Sequence, residues 1–282
     1  MTVPRQEARG SDARDPASPD GLRRAGPVIV LTYGYAGARH LQQLLQDQPE
    51  LAATSATGLL AACDQAASAW RQAEQRPERV LSPLAKNSIR ALASAMMTTI
   101  AARAGRPRWF ETSAAEPSAA ETFLDLFPGT RFVCLHRACP DVIYATLQAS
   151  PWGLAGQAYA EYTPSYPGST VAALAAWWVG HAGSILAFEQ EHPAPCMRLR
   201  YEDLAADPVR TEREIGEFLG LKSEVPVLPE LPGDPRQALT GADAPGCGAG
   251  LPAGQIPAGL LAQVNELHRQ LGYPPLDAEP HG

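Results

Sequence analysis

The stretch that most restricts this chain runs from Pro27 to Leu45. A short apolar run, Val28 to Leu31, breaks into Thr-Tyr-Gly-Tyr-Ala-Gly, and a helical pattern follows at once with Leu41, Leu44 and Leu45 on one side. A strand that passes through a glycine turn into a helix N-terminus builds an anion cradle. The first amides of the helix have no intrahelical acceptor, and the helix dipole adds partial positive charge where they point. The pattern therefore implies a phosphorylated ligand held at residues 33–39.

The remaining apolar runs repeat the strand-then-helix rhythm. Residues 109–111, 131–135 and 196–199 read as further strands. Helices are expected over 38–47, 58–75, 87–104, about 117–126 and 140–148, and through a stripe at Leu174, Trp178, His181, Ile185 and Phe188. Asp207-Pro208 opens another helix that Gly220 closes, and Pro257 starts a last one that ends at Gly272. Strands alternating with helices mean an α/β fold, with a central parallel sheet flanked by helices in a single domain. Residues 1–25 carry almost no apolar side chains and read as a disordered tail. Residues 26–282 then form the domain, with a Pro/Gly-rich loop over 222–256 and a C-terminal helix over 257–272. Ligands of such sheets sit beyond the carboxyl ends of the strands. That rule gathers residues 33–39, 111–113, 136–141 and 200–203 around one crevice.

Composition narrows the partners. Twenty-three basic against thirty acidic residues give a net charge of −7, which argues against nucleic acid and makes any anion site local. The five cysteines, Cys63, Cys134, Cys139, Cys196 and Cys247, show no C-x-x-C spacing and read as reduced thiols of a cytoplasmic protein. No apolar run is expected to reach the ~20 residues of a membrane span, and the start of the chain shows no secretory h-region. Gly37-Ala38-Arg39 does not close the turn with Gly-Lys-Ser/Thr, so a nucleotide kinase or ATPase is not expected. There is no Gly-x-Ser-x-Gly elbow and no metal-ligand spacing, so no metal is expected.

Four segments in order resemble the sulfotransferases that use 3′-phosphoadenosine 5′-phosphosulfate (PAPS), nearest to bacterial members of the carbohydrate/heparan type. The first is Tyr35-Ala36-Gly37-Ala38-Arg39-His40-Leu41, where that family usually reads Arg-Ser-Gly-Thr-Thr-x-Leu around the 5′-phosphosulfate. The glycine is kept, and the basic residue and both threonines are replaced. The second is Arg137 with Asp141 four residues on. The family's serine for the 3′-phosphate falls at Ala145, beside Thr146. The third, Arg200-Tyr201-Glu202-Asp203-Leu204 followed by Asp207-Pro208, is a close match whose role looks structural. The fourth is Trp109-Phe110-Glu111-Thr112-Ser113, where related carbohydrate enzymes read Glu-Lys-Ser/Thr with the Glu as general base. The resemblance covers about residues 27–221. It implies a P-loop-like sulfotransferase fold and sulfuryl transfer from PAPS to a hydroxyl of a small molecule. The high Ala, Arg and Pro content suits a high-GC bacterium, and by analogy with such bacterial homologues the resemblance implies a secondary metabolite as acceptor.

On that resemblance Glu111 takes the acceptor proton and Arg39 replaces the lost cation on the leaving phosphate. Residues 35–40 (Tyr35, Ala36, Gly37, Ala38, Arg39, His40) hold the 5′ group, while Arg137 and Thr146 hold the 3′-phosphate. An arginine in the first helical turn opposes the helix dipole unless an anion sits there, and guanidinium forks suit phosphate. The plainer readings are a structural carboxylate at Glu111, a solvent-facing Arg39, a packing His40, an Arg137 paired with Asp141, and core histidines at His136 and His181. Trp152, Tyr159, Tyr162 and Tyr166 lie in an irregular stretch that suits a lid over the acceptor. A second reading keeps the fold and drops the catalysis. The chain is then a companion subunit of an active homologue in a hetero-oligomer; a homo-oligomer is the other association considered.

Overall fold

The computed structural model of the chain describes residues 26–54, 57–75, 80–113, 117–149, 159–221, 241–251 and 253–276. The expected tail (1–25), most of the expected loop (222–240) and Trp152 lie outside the described residues. Five strands, β1 (Val28–Leu31), β2 (Leu51–Thr54), β3 (Arg108–Ser113), β4 (Arg131–His136) and β5 (Cys196–Arg200), form one parallel sheet in the order β2-β3-β1-β4-β5. This is the expected α/β architecture. β1 is central, with Ile29 beside Glu111 of β3 on one side and Phe132 of β4 on the other.

The helices are α1 (Ala38–Leu45), α2 (Leu59–Ala73), α3 (Pro83–Ala104), α4 (Pro117–Leu126), α5 (Cys139–Ala149), α6 (Thr170–Glu191), α7 (Tyr201–Ala206), α8 (Pro208–Leu219) and α9 (Ala258–Leu271). Strand alternation splits the core in two. Ile29, Trp109, Phe132 and Cys134 face the side covered by α2 to α6 and α9, including Leu60, Ile89, Phe123, Ile143, Trp178 and Val264. Val28, Val30, Phe110, Val133 and Leu135 face the side covered by α1, α7 and α8, through Leu41, Leu44, Leu45, Leu204 and Ile215. Helix ends follow their local chemistry. The Asp207 carboxylate accepts the Arg210 N–H at 2.9 Å ahead of Pro208, and Gly220 closes α8 at φ 65°.

Three expectations need correction. Residues 51–54 form β2, although Ala52 and Ala53 carry little strand preference; pairing with β3 imposes the conformation. Helix α3 starts at Pro83, ahead of residue 87, because Ser82 Oγ caps it by accepting the Ala85 N–H at 3.2 Å. Helix α6 is also long and apolar enough, by length and composition, to cross a membrane, against the expectation of no such run. Its apolar side chains, Leu174, Trp178, Ile185 and Phe188 among them, are instead buried against the sheet.

The ends of β1 and β4 are clasped by one phenol. Tyr33 Oη accepts the Arg137 N–H at 3.0 Å and donates to the Arg137 carbonyl at 3.1 Å, where Trp178 Nε1 also donates at 3.0 Å. Tyr33→Phe leaves the carbonyl its indole partner and leaves the buried N–H with none. The expected cost is about 1–3 kcal/mol, read as a lower urea midpoint at unchanged slope. An unchanged midpoint would show that the clasp contributes nothing.

Candidate active site

Helix α1 leaves β1 toward one face of the sheet and α5 leaves β4 toward the other, so the chain opens a crevice between these two neighbouring strand ends. The turn into α1 is tight. Tyr35 sits at φ 61° and Gly37, the helix N-cap, at φ 97°. A Cβ at Gly37 would lie 2.0 Å from the Tyr201 ring, so only glycine fits this left-handed position. The first intrahelical bond of α1 is Leu41 N–H to Gly37 O at 3.1 Å, and the helix makes no use of the amides just before it.

Arg137, one residue past β4, meets this turn. It is 1% exposed. Its Nη1 donates to the Tyr35 carbonyl at 3.0 Å, and its Nη2 donates to the carbonyls of Ala242 at 2.8 Å and Ala244 at 3.3 Å. The guanidinium lies over the Tyr201 ring, 4.5 Å from its centroid, and Tyr201 Oη donates to the Asp243 carbonyl at 2.8 Å. Arg137 and Asp141 do not pair with each other. The Asp141 carboxylate accepts the N–H groups of Gly246 at 2.7 Å and Gly248 at 2.8 Å. Both ends of the Arg137–Asp141 motif thus bind the segment 241–248, part of the stretch read from sequence only as a loop.

The N-terminus of α5 is satisfied from within. Glu202 Oε1 accepts the Ala138 N–H at 2.9 Å, and His268 Nε2 accepts the Cys139 N–H at 3.3 Å. His268 Nδ1 lies 2.6 Å from the Pro274 carbonyl, which can only accept, so Nδ1 carries the proton and Nε2 the lone pair. Burial holds this imidazole below its ordinary pKa, in keeping with the neutral form. Tyr201 and Glu202 of the Arg-Tyr-Glu-Asp-Leu segment therefore brace the site from below, the structural role that the resemblance implied.

Glu111 lies in β3, two residues short of its end, with its side chain on the face opposite α1. It is fully buried. The Thr57 hydroxyl donates to its Oε2 and accepts the Leu59 N–H at 3.2 Å at the start of α2. Its Oε1 has no hydrogen-bond partner among the described residues. Burial raises its pKa to about 7, with the Thr57 hydrogen bonds opposing the shift. Glu111 is thus covered by Thr57 rather than open to the crevice.

The other candidates are spread around this centre. Arg39 is exposed on the first turn of α1. His40 is buried, 6.0 Å from the Tyr201 ring centroid in an edge-on contact. Tyr35, Ala36 and Gly37 form the turn itself, and Ala38 is the first residue of α1. Thr146 is fully buried, and its hydroxyl donates to the Val142 carbonyl one turn back at 2.7 Å, so it belongs to the interior of α5. His136 is a core histidine as read, 2.6 Å from Glu189, which also takes the Arg198 Nε at 2.6 Å.

Sequence reasoning missed a cavity of about 260 Å³ beside the end of β1, lined by Thr32, Glu161, Tyr162, His181 and Ser184. His181 falls on the apolar stripe of α6 and reads as core, but here it is half-buried against this cavity. Its Nδ1 lies 2.9 Å from the Trp177 carbonyl, which fixes the tautomer with the proton on Nδ1.

Residues 27–224 match the model of the sulfotransferase family. The chain belongs to the sulfotransferase family. Its members are transferases, and sulfuryl transfer is the family's chemistry. No curated protein matches it. Among solved structures it is similar to the sulfotransferase domain of the Synechococcus PCC 7002 olefin synthase, with TM-score 0.56 and 16% identity over 88% of this chain and 94% of that one. It is also similar to the sulfotransferase domain of the curacin biosynthetic pathway, with TM-score 0.55 and 15% identity over 88% of this chain and 98% of that one. A third likeness is a sulfotransferase from Alicyclobacillus acidocaldarius, with TM-score 0.53 and 15% identity over 88% and 96%. At these identities the likeness concerns the sulfotransferase fold.

The raised pKa of Glu111 predicts a pH dependence of stability. The ordinary value is 4.5 and the folded value about 7, so between these the folded chain keeps a proton that the unfolded chain gives up. Stability then falls as pH rises through that window and levels off above it. Glu111→Gln removes the titration. The difference in thermal midpoint between variant and wild type should move in the variant's favour from pH 4.5 to 7. A difference independent of pH would mean that Glu111 titrates normally.

Proposed function

We propose that this sulfotransferase-family chain moves a sulfuryl group from PAPS to a hydroxyl of a small molecule. The observation that carries the reading is the meeting of the glycine turn and α1 N-terminus with Arg137, whose Nη1 is 3.0 Å from the Tyr35 carbonyl. A donor nucleotide with phosphates at both ends of its ribose suits two anion sites across one crevice, the amides at the start of α1 for the 5′ group and Arg137 for the 3′-phosphate. The family generally uses PAPS, which supports the same donor.

The acceptor occupies the cavity beside Thr32, where Tyr162 supplies an aromatic wall and Glu161, His181 and Ser184 supply hydrogen-bonding groups. Its hydroxyl oxygen attacks sulfur in line, the bond from sulfur to the bridging oxygen of the 5′-phosphate breaks, and the nucleotide leaves with that oxygen's charge. Arg39 and the α1 amides stabilise the charge as it develops. The acceptor proton goes to Glu111, whose pKa near 7 suits a base at neutral pH, once the Thr57 cover opens. Two of the similar structures are domains from an olefin synthase and a curacin biosynthetic pathway, which supports an acceptor from bacterial secondary metabolism. Five cysteines without disulfides, three of them buried, suit the reducing cytoplasm.

The companion-subunit reading draws on the altered donor loop and on a guanidinium already matched by backbone carbonyls. Calorimetric titration with the product nucleotide, 3′-phosphoadenosine 5′-phosphate, and transfer from labelled PAPS separate the two. Arg137→Ala should weaken nucleotide binding by about 1.5–3 kcal/mol, the worth of hydrogen bonds to a charged group. Glu111→Gln should keep that affinity and lower the transfer rate about 10²-fold or more. Arg39→Ala should lower both. Unchanged nucleotide affinity in Arg137→Ala overturns the donor assignment, and full activity in Glu111→Gln overturns the base assignment. No transfer by the isolated chain, with normal activity of a reconstituted complex carrying either Glu111→Gln or Arg39→Ala, selects the companion subunit.

A further inference from the structure

We infer that the segment 241–248 is a strap that fills the phosphate subsite at Arg137 and lifts when a nucleotide binds. The inference rests on the donor reading above and adds a gate to it. A phosphate is held bidentately by two parallel N–H groups of a guanidinium fork. Here Nη2 is taken by the carbonyls of Ala242 and Ala244, and Nη1 by that of Tyr35. Tyr201 covers one face of the group, which is 1% exposed. Two strap carbonyls, the negative ends of peptide dipoles, thus stand where phosphate oxygens would bind. Phosphate cannot share those donors with them, so strap and phosphate compete for one cation.

The strap is built to seat here and is held lightly. Its Gly246 and Gly248 amides both bind the Asp141 carboxylate, at 2.7 and 2.8 Å, and its Asp243 carbonyl accepts from Tyr201 Oη at 2.8 Å. Gly248 packs so closely on α5 that a Cβ would lie 2.2 Å from the Pro140 carbonyl carbon and oxygen, while Gly246 has φ 78°. These anchors are polar and mostly backbone. The strap's own side chains are small or exposed, with Asp243, Pro245 and Gly246 facing solvent. A segment with few buried apolar contacts opens at low cost. Asp141 therefore acts as a positioning residue for the strap, and the strap lies beyond residue 224, where the family match ends.

The test uses the full chain, the product nucleotide 3′-phosphoadenosine 5′-phosphate as probe, and the wild type beside Gly248→Ala. The added methyl cannot coexist with the seated strap. If the strap competes, the variant should bind the nucleotide about tenfold or more tightly, because the binding-competent fraction rises. In the wild type the nucleotide should speed hydrogen exchange at the Gly246 and Gly248 amides. Slower exchange at these amides on binding would overturn the proposal, since the strap would then be part of the occupied site. So would equal or weaker binding by Gly248→Ala beside a wild type that binds. That result leaves the donor reading standing. If neither form binds while exchange shows the variant's strap open, the gate and the donor reading both fall. Should Gly248→Ala not fold, exchange in the wild type decides alone.

Discussion

A buried arginine joins more of this molecule than any apolar contact does. Removing a guanidinium from water is costly unless its donors and its charge are met. At Arg137 they are met by peptide carbonyls, the Cys247 sulfur at 3.5 Å and one aromatic face; among the described residues no carboxylate binds the group and only Nε lacks a partner. Meanwhile its backbone is gripped by Tyr33 and Trp178. The result ties the end of β1, the end of β4, α6, α7 and the segment 241–248 to one residue. A cation balanced by dipoles keeps its attraction for an anion, so the donor reading proposed above does not conflict with a net charge of −7.

The surrounding helices decide where that anion can sit. Of the two helix N-termini at the crevice, α5 has its Ala138 and Cys139 amides taken by Glu202 and His268. Those of α1 have no such protein partners among the backbone bonds. The helix dipole is therefore on offer at β1 and answered internally at β4, where the proposed 3′-phosphate contact falls to the Arg137 side chain. Glu202 and Tyr201 come from consecutive positions of one short helix. One closes the α5 terminus, and the other supports the guanidinium and packs against Gly37. Both contacts are structural, the role that the resemblance implied for Arg-Tyr-Glu-Asp-Leu.

Features set by local chemistry could be read from the sequence. The strand-glycine-helix of residues 28–45, the Asp207 cap with Pro208, the closing glycines at 220 and 272, and the parallel sheet all follow from side-chain type and period. What could not be read depends on partners remote in sequence. Strand β2 is alanine-rich and exists because β3 pairs with it. His181 keeps the period of a core stripe, yet its turn of α6 happens to face the open end of β1. Asp141 is read naturally as a partner for Arg137 at one helical turn, but its two amide partners lie more than a hundred residues away. Thr146 sits beside the expected serine position, and only the helix shows its hydroxyl turned back on Val142.

Arg39 is the residue that the protein alone does not account for. It occupies the second position of α1, where the dipole makes a cation unfavourable by about 0.3–1 kcal/mol. Its side chain is exposed and has no hydrogen-bond or ion-pair partner among the described residues. Helix α1 buries Leu41, Leu44 and Leu45, so its hold on the sheet does not need the arginine. A neutral residue such as the neighbouring Ala38 would suit the first turn better. The arrangement becomes favourable when an anion sits on the α1 amides, because the charge that opposes the dipole then opposes nothing and pairs with the ligand. The resemblance expects a basic side chain and hydroxyls at positions 35, 38 and 39, and on the proposed donor reading Arg39, a long, flexible cation beside the α1 amides, supplies the charge they would carry.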